Sequence, residues 1–390
     1  MSGLPMSVAI VTPGVFPVPS ETSSSVEQVV HKTAEQLAKR MKVDVLGCKT
    51  PRQPSYEKKE GVHYARVRYG NSASYIEGIS GQIAKLKPTF IQVENRPRFV
   101  RYLRKKHPLA KISLVLHSTT FISTPHIKIQ ELSACLRAAN VIIVNSEFLK
   151  KLLGRKVPSS AHKIVAQHLG VDMERFISKW SPQGAESRIR KLRELGYENQ
   201  KIILFVGRLI PKKGVHHLLH AMMQVIQTEP NAILIVVGSA QYGSDRQTEY
   251  VRKLHRLGGT IPQYVRFVPF VSHEEIAKWY QIADVVAVPS APNEAFGLVN
   301  VEAMATGVPV VATRSGGIQE IVADGNTGYL FDYEKITEDL PRYLLRLLEN
   351  AELRKAMGEQ GTQRVKQLFT WERSAKQRYE HYRKMFKRRS

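Results

Sequence analysis

Short apolar runs recur along the chain and alternate with longer stretches whose apolar residues fall three or four positions apart. Ser7 to Val11, Val43 to Leu46, Val62 to Val67, Phe90 to Val93, Ile112 to Leu116, Val141 to Val144 and Ile164 to Ala166 read as buried strands. Val26 to Arg40 reads as a helix with Val29, Val30, Ala34, Leu37 and Ala38 on one side. The rhythm resumes with strands at Ile202 to Val206, Ala232 to Val237, Val265 to Val268, Val285 to Val288 and Val308 to Ala312. Strands spaced by helical stretches predict parallel sheets with right-handed crossovers. The polar, charge-rich segment 178–200 separates the two sets and reads as a linker between residues 1–177 and 201–368. The fold class is α/β: two Rossmann-like, doubly wound domains facing each other across a cleft, with the ligand near the carboxyl ends of the strands.

Composition narrows the class. The chain has 390 residues, too many for one ordinary core, and 43% of them are hydrophobic, as in folded globular proteins. Cys48 and Cys135 are too few for a disulfide framework or a zinc site. The run Val8-Ala9-Ile10-Val11 is too short for a signal peptide, and no apolar stretch approaches the length of a membrane span. The expected compartment is the reducing cytoplasm.

Lys and Arg number 58 against 34 Asp and Glu, a net charge of +24. That excess suits contact with an anionic membrane or a polyanionic polymer. The densest patch runs from Arg96 to His107; as a helix it turns Phe99, Val100 and Leu103 inward and Arg101, Arg104 and Lys105 outward. The same pattern describes an ordinary solvated helix face, and the basic end from Met385 to Ser390 is equally ambiguous. No nucleic-acid reader motif accompanies the charge, so nucleic acid is not an expected partner.

The most informative chemistry lies after the strand Val285 to Val288. Asn293-Glu294-Ala295-Phe296-Gly297-Leu298-Val299-Asn300-Val301-Glu302 brackets a loop and a helix start with two acids. A strand, a loop and a helix start present backbone N–H groups to an anion, and flanking carboxylates can hold sugar hydroxyls. The segment resembles the Glu-x7-Glu signature of glycosyltransferase family 4, retaining enzymes of the GT-B fold. Phe205-Val206-Gly207-Arg208-Leu209-Ile210-Pro211-Lys212-Lys213-Gly214 is similar to the loop in which that family's Arg and Lys neutralise a nucleotide diphosphate. Ile91 to Val100 faintly resembles bacterial spore-coat members of the family.

The resemblance implies roles for particular residues. Arg208 and Lys213 would grip the diphosphate and stabilise the charge that builds on it, Arg through paired hydrogen bonds and Lys as a point charge. Glu294 would hold the transferred sugar, and Glu302 the nucleotide ribose. Backbone N–H groups of Phe296, Gly297, Leu298 and Val299 would face the phosphate, with Gly297 allowing close approach. His117, at the end of the strand Ile112 to Leu116, matches a family His that touches the donor sugar and assists its departure. Gly316 and Gly317 would let the chain pass close to the site. Residues 369–390 are similar to the family's terminal helix, which crosses back onto the first domain.

The implied reaction moves a hexose-type sugar from a nucleotide diphosphate sugar, UDP-sugar foremost, to a hydroxyl of a glycan or glycolipid. Retention of configuration comes from the resemblance alone, as does a role in cell-surface or spore-coat polysaccharide synthesis. No metal or other cofactor is expected: no Asp-x-Asp motif occurs, and His216, His217 and His220 on one helix lack an acidic or Cys ligand nearby. The departure from the family is in the first loop, where Ser23 and Ser24 stand in place of a Gly-Gly pair and would crowd a close approach. Two alternatives stay open: a non-catalytic, coat-type structural protein and a sugar-nucleotide epimerase. The protein is expected in the cytoplasm, at the membrane periphery or with the spore.

Overall fold

Parallel pairing organises both halves of the chain in the computed structural model, which describes residues 6–20, 24–241 and 247–387. Two compact units emerge. One takes the chain up to Leu169 together with the part from Trp371 onward, and the other spans Gly170–Thr370.

The first unit holds β1 (Ser7–Val11), β2 (Lys42–Cys48), β3 (Tyr56–Lys59), β4 (Val62–Val67), β5 (Phe90–Glu94), β6 (Lys111–Leu116), β7 (Val141–Val144) and β8 (Ile164–Ala166). They form one sheet in the order β3-β4-β2-β1-β5-β6-β7-β8. All neighbours are parallel except β3 and β4, a hairpin closed by Glu60 and Gly61, both at positive φ. The strand order reverses between β1 and β5, which opens a crevice beyond their carboxyl ends.

The second unit holds β9 (Lys201–Val206), β10 (Ala232–Val237), β11 (Val265–Val268), β12 (Val285–Val288), β13 (Val310–Thr313) and β14 (Gly328–Phe331). The order β11-β10-β9-β12-β13-β14 is the Rossmann pattern, all parallel, and it reverses between β9 and β12. The fifth strand begins two residues later than its apolar run, although the Pro309 carbonyl still accepts from Val286 N at 3.1 Å.

Each sheet carries its own core. In the second unit Ile203, Phe205 and Leu234 pack with Leu218, Leu219 and Met222 of the helix Val215–Thr228. In the first unit Val8, Ile10, Val43 and Phe90 meet Val30, Ala34 and Leu37 of the helix Ser25–Ala38. The helix Trp371–Lys387 adds Ala375 and Tyr382 to that same core, and the Tyr382 ring stacks on Phe90 with centroids 4.8 Å apart.

Three sequence expectations look different in three dimensions. Segment 178–200, read as a linker, carries the helix Pro182–Leu195 and lies within the second unit. It is anchored there by Arg188 Nη2 donating to Asp284 Oδ1 at 2.9 Å and by Trp180 Nε1 donating to the Gly307 carbonyl at 2.7 Å. On the helix Pro97–Lys106 the apolar stripe is buried, but Arg104 is not a solvated cation. It donates to the carbonyls of Ala138, Pro108 and Ala110 and to Asn140 Oδ1, clamping the turn before β6. Arg98 is likewise occupied, in a paired bond to Glu131 at 2.7 and 2.8 Å. In the first loop Ser24 is the N-cap of Ser25–Ala38, accepting from Val26 N, which gives its hydroxyl a structural task. Ser23 lies outside the described residues. Among the described residues no helix is long and apolar enough to cross a membrane.

Candidate active site

The reversal between β9 and β12 brings two loops of the second unit together. The loop after β9 runs through Arg208 to Gly214; the loop after β12 runs through Glu294 to the helix Leu298–Ala305. Ala291 N donates to the Lys212 carbonyl at 2.8 Å and so ties them. Gly214, at φ +74°, packs so tightly that an added Cβ would lie 2.0 Å from the Pro289 carbonyl oxygen. Only glycine satisfies both the angle and the gap.

Across this junction Lys213 Nζ donates to Glu294 Oε2 at 2.6 Å. Burial pushes the Glu294 carboxyl up, but Lys213, with Arg208 and Lys212 further out, outweighs it and holds the group below the ordinary carboxylate range. The electrostatics therefore gather three cations around one carboxylate. The Arg208 side chain is exposed, whereas Lys213 and Glu294 are partly buried.

The acid's backbone is equally constrained. Glu294 N donates to Ser315 Oγ at 3.2 Å, and its carbonyl accepts from Gly317 N at 2.9 Å. A Cβ on Gly316, at φ +51°, would fall 2.0 Å from that same carbonyl oxygen. The glycine pair after β13 is thus a cradle for the acid-bearing loop.

Gly297, at φ +88°, is the N-cap of Leu298–Ala305, and among the described residues no side chain caps this end. The first-turn N–H groups of Leu298 and Val299 follow it, where a helix lacks intrahelical partners and favours an anion. Phe296 serves the core: its ring is 2% exposed and packs edge-on to Phe369. One turn beyond Leu298, Glu302 accepts from the Tyr280 hydroxyl at 2.7 Å. Burial pushes its carboxyl up to about 7, while Tyr280 and the nearby Arg175 pull it down. Two acids eight positions apart are thereby tuned in opposite directions, Glu294 to stay ionised and Glu302 to titrate near neutrality.

His117 belongs to the first unit. It follows β6 directly, beside the strand reversal, and its Nε2 lies 2.7 Å from Glu94 Oε2 at the end of β5. The neighbouring Asn95, at φ +54°, takes the His117 N–H on Oδ1 at 3.2 Å, and Asn145 Nδ2 donates to the His117 carbonyl at 3.0 Å. His117 Nδ1 is buried and has no partner among the described residues. Glu94 and Tyr280 were not singled out from the sequence, although an acid closing a central parallel strand is itself a signal in this fold. His216 and His217 pair with the hydroxyls of Tyr250 and Tyr333 at 2.8 and 3.2 Å. Among the described residues no three His, Cys, Asp or Glu side chains gather as a metal site requires.

Comparison with known proteins bears on the family and the fold. Residues 26–175 match the family described as Glycosyltransferase Family 4, and residues 188–364 match Glycosyl transferases group 1. Spore coat protein SA of Bacillus subtilis (strain 168) is 30% identical over 95% of this chain and 97% of its own length. Among solved structures, sucrose-phosphate synthase from Thermosynechococcus elongatus superposes with a TM-score of 0.79 at 24% identity, covering 98% of this chain and 99% of the other. Anabaena HepE in complex with UDP-glucose gives 0.77 at 20% identity, with 96% and 99% covered. The architecture is the GT-B fold.

Proposed function

The chain belongs to glycosyltransferase family 4 and is a glycosyltransferase, and we propose that it moves a hexose-type sugar from a UDP-sugar to a hydroxyl of a glycan or glycolipid with retention of configuration. The observation that carries this reading is the Lys213–Glu294 pair at the mouth of the helix Leu298–Ala305, with Arg208 and Lys212 acting on the same carboxylate. A diphosphate suits that set of cations and amides, and the UDP-glucose held by HepE supports the donor class.

The chemistry follows from the residues. Arg208, Lys213 and the N–H groups of Leu298 and Val299 bind the diphosphate; Glu294, released from Lys213, holds sugar hydroxyls; Glu302 takes the ribose. The bond from the sugar's anomeric carbon to the phosphate oxygen breaks, its electron pair leaving with the diphosphate through an oxocarbenium-like state. The acceptor oxygen bonds the anomeric carbon from the same face and gives its proton to the departing phosphate oxygen. The leaving charge falls on fixed cations and amides, the arrangement that contributes most when charge develops. Neutralisation by Arg and Lys fits a reaction without a metal or other cofactor. The first unit binds the acceptor, and His117 contacts a substrate hydroxyl.

The likeness to spore coat protein SA supports a place in cell-surface or spore-coat polysaccharide synthesis, in the cytoplasm, at the membrane periphery or with the spore. The same likeness carries the second reading, a coat component that keeps the fold without turnover. Incubation with a panel of sugar nucleotides and hydroxyl acceptors, with the product's anomeric centre read by NMR, tests the proposal. A new glycosidic bond with the donor's configuration is expected. Inversion would contradict the proposed mechanism, and nucleotide binding without turnover would favour the second reading.

A further inference from the structure

Behind His117 a buried chain of hydrogen bonds runs to the terminal helix with one polarity. Arg378, 2% exposed, donates from Nη1 to Gln92 Oε1 at 2.9 Å and from Nε to Gln167 Oε1 at 2.9 Å. Gln167 gives its amide nitrogen to the Ser374 carbonyl and hydroxyl, each at 2.9 Å. The Tyr382 hydroxyl donates to Gln92 Oε1 as well, and Gln92 Nε2 donates to Glu94 Oε1. Glu94 Oε2 then meets His117 Nε2 at 2.7 Å. All of these groups belong to the first unit.

The inventory of donors and acceptors leaves one assignment. A guanidinium has five N–H groups and no acceptor, so the Gln92 oxygen must face Arg378 and its nitrogen must face Glu94. Glu94 therefore accepts on Oε1. A carboxylate offers only acceptor oxygens, so across the Oε2 contact the hydrogen belongs to the imidazole. His117 Nε2 carries the hydrogen, so in the neutral imidazole Nδ1 is left as the acceptor. That Nδ1 is the buried ring nitrogen for which the described residues provide no partner.

We propose that Arg378 and Gln92 are positioning residues that act through Glu94 to hold His117 as its Nε2–H tautomer, presenting Nδ1 as a hydrogen-bond acceptor to a substrate hydroxyl. The hydroxyl rests on the glycosyltransferase reading above; the tautomer does not. The relay gives the terminal helix a task beyond packing, because its cation dictates which imidazole nitrogen carries the hydrogen. The other tautomer would offer a donor at Nδ1 in place of an acceptor.

The test is NMR of the full chain carrying 15N-labelled histidine, read alongside transfer kinetics. Wild type should show a protonated Nε2 and a bare Nδ1 at His117. In Glu94→Gln the side-chain shape is kept and Gln92 still donates to the remaining oxygen, so the new amide nitrogen turns to the ring and forces Nδ1–H. That variant should reverse the tautomer and lower kcat about 10²-fold, with donor KM little changed. Arg378→Met should give mixed tautomers, and Arg378→Lys should restore part of the single form. Glu94→Gln serves alone where Arg378→Met does not fold. A wild-type Nδ1–H form, or the same tautomer in wild type and Glu94→Gln, would overturn the relay. Reversal with unchanged kcat would overturn the role of Nδ1. Reversal in a protein that transfers no sugar would instead sink the glycosyltransferase reading and leave the tautomer assignment standing.

Discussion

Lys213 and Glu294 are joined across two loops, with Nζ 2.6 Å from Oε2, at the point where the second sheet reverses its strand order. The pair neutralises two groups that the proposed donor needs separately. A diphosphate competes for the ammonium, and the carboxylate it displaces becomes free to accept sugar hydroxyls.

Unequal kinetic effects follow for the two partners. Lys213→Ala should raise donor KM and also lower kcat, about 10²–10³-fold, because the cation serves ground state and leaving group alike. Glu294→Gln should lower kcat about 10²-fold with a smaller change in KM. Steady-state kinetics with saturating acceptor checks both. Loss confined to KM in both variants would contradict a role in transfer.

Glu302 makes stability depend on pH. Its carboxyl titrates at about 7 in the fold against an ordinary value of 4.5, so the folded state binds the extra proton between those limits. The contribution is fully present below the ordinary value and is lost as pH rises through 7, a ceiling of about 3 kcal/mol. Ligand-free wild type should therefore lose more melting temperature than Glu302→Gln between about pH 5 and pH 8. Thermal melts across that window test it; parallel curves would show that Glu302 is ionised throughout.

Much of the fold is legible in the chain, for reasons that also explain the gaps. Buried parallel strands are continuous apolar runs, so β1, β9, β10 and β12 stand out from the residues alone. Strand β3 is Tyr-Glu-Lys-Lys on a sheet edge, where charge guards against mispairing and erases the hydrophobic signal. Arg104 sits among other cations, and nothing local shows that backbone carbonyls surround it. Glu94 and Arg378 required the fold, because their partners lie on other elements. Yet Arg378 shares a helical face with Ala375 and Tyr382, three and four positions away, which is a readable hint of burial.

Asp284 anchors the segment read as a linker. Its carboxylate lies 3.6 Å from Lys179, 2.9 Å from Arg188 and 3.7 Å from Arg354, and Oδ2 also accepts from Ile202 N at 2.8 Å. Asp284→Asn leaves three cations without a counter-charge and should cost about 3–5 kcal/mol in denaturant unfolding. A loss under about 1 kcal/mol would mean that the cations find other partners.

Gly316 offers a steric test of the cradle. Gly316→Ala drives a methyl group into the Glu294 carbonyl oxygen, 2.0 Å away, at a φ of +51° that alanine resists. Stability should fall by about 1–3 kcal/mol and kcat by at least about tenfold, with UDP affinity changed less. Differential scanning calorimetry and initial rates read the two effects. Unchanged kcat would separate the glycine cradle from the position of Glu294.

The most direct measurement is calorimetric titration of UDP into wild type and into the double variant Arg208→Ala, Lys213→Ala, at two salt concentrations. Saturable one-to-one binding is expected, weakened by salt and reduced about 10²-fold or more in the double variant. No binding to wild type, or equal affinity in both proteins, would contradict a diphosphate site built from these two cations.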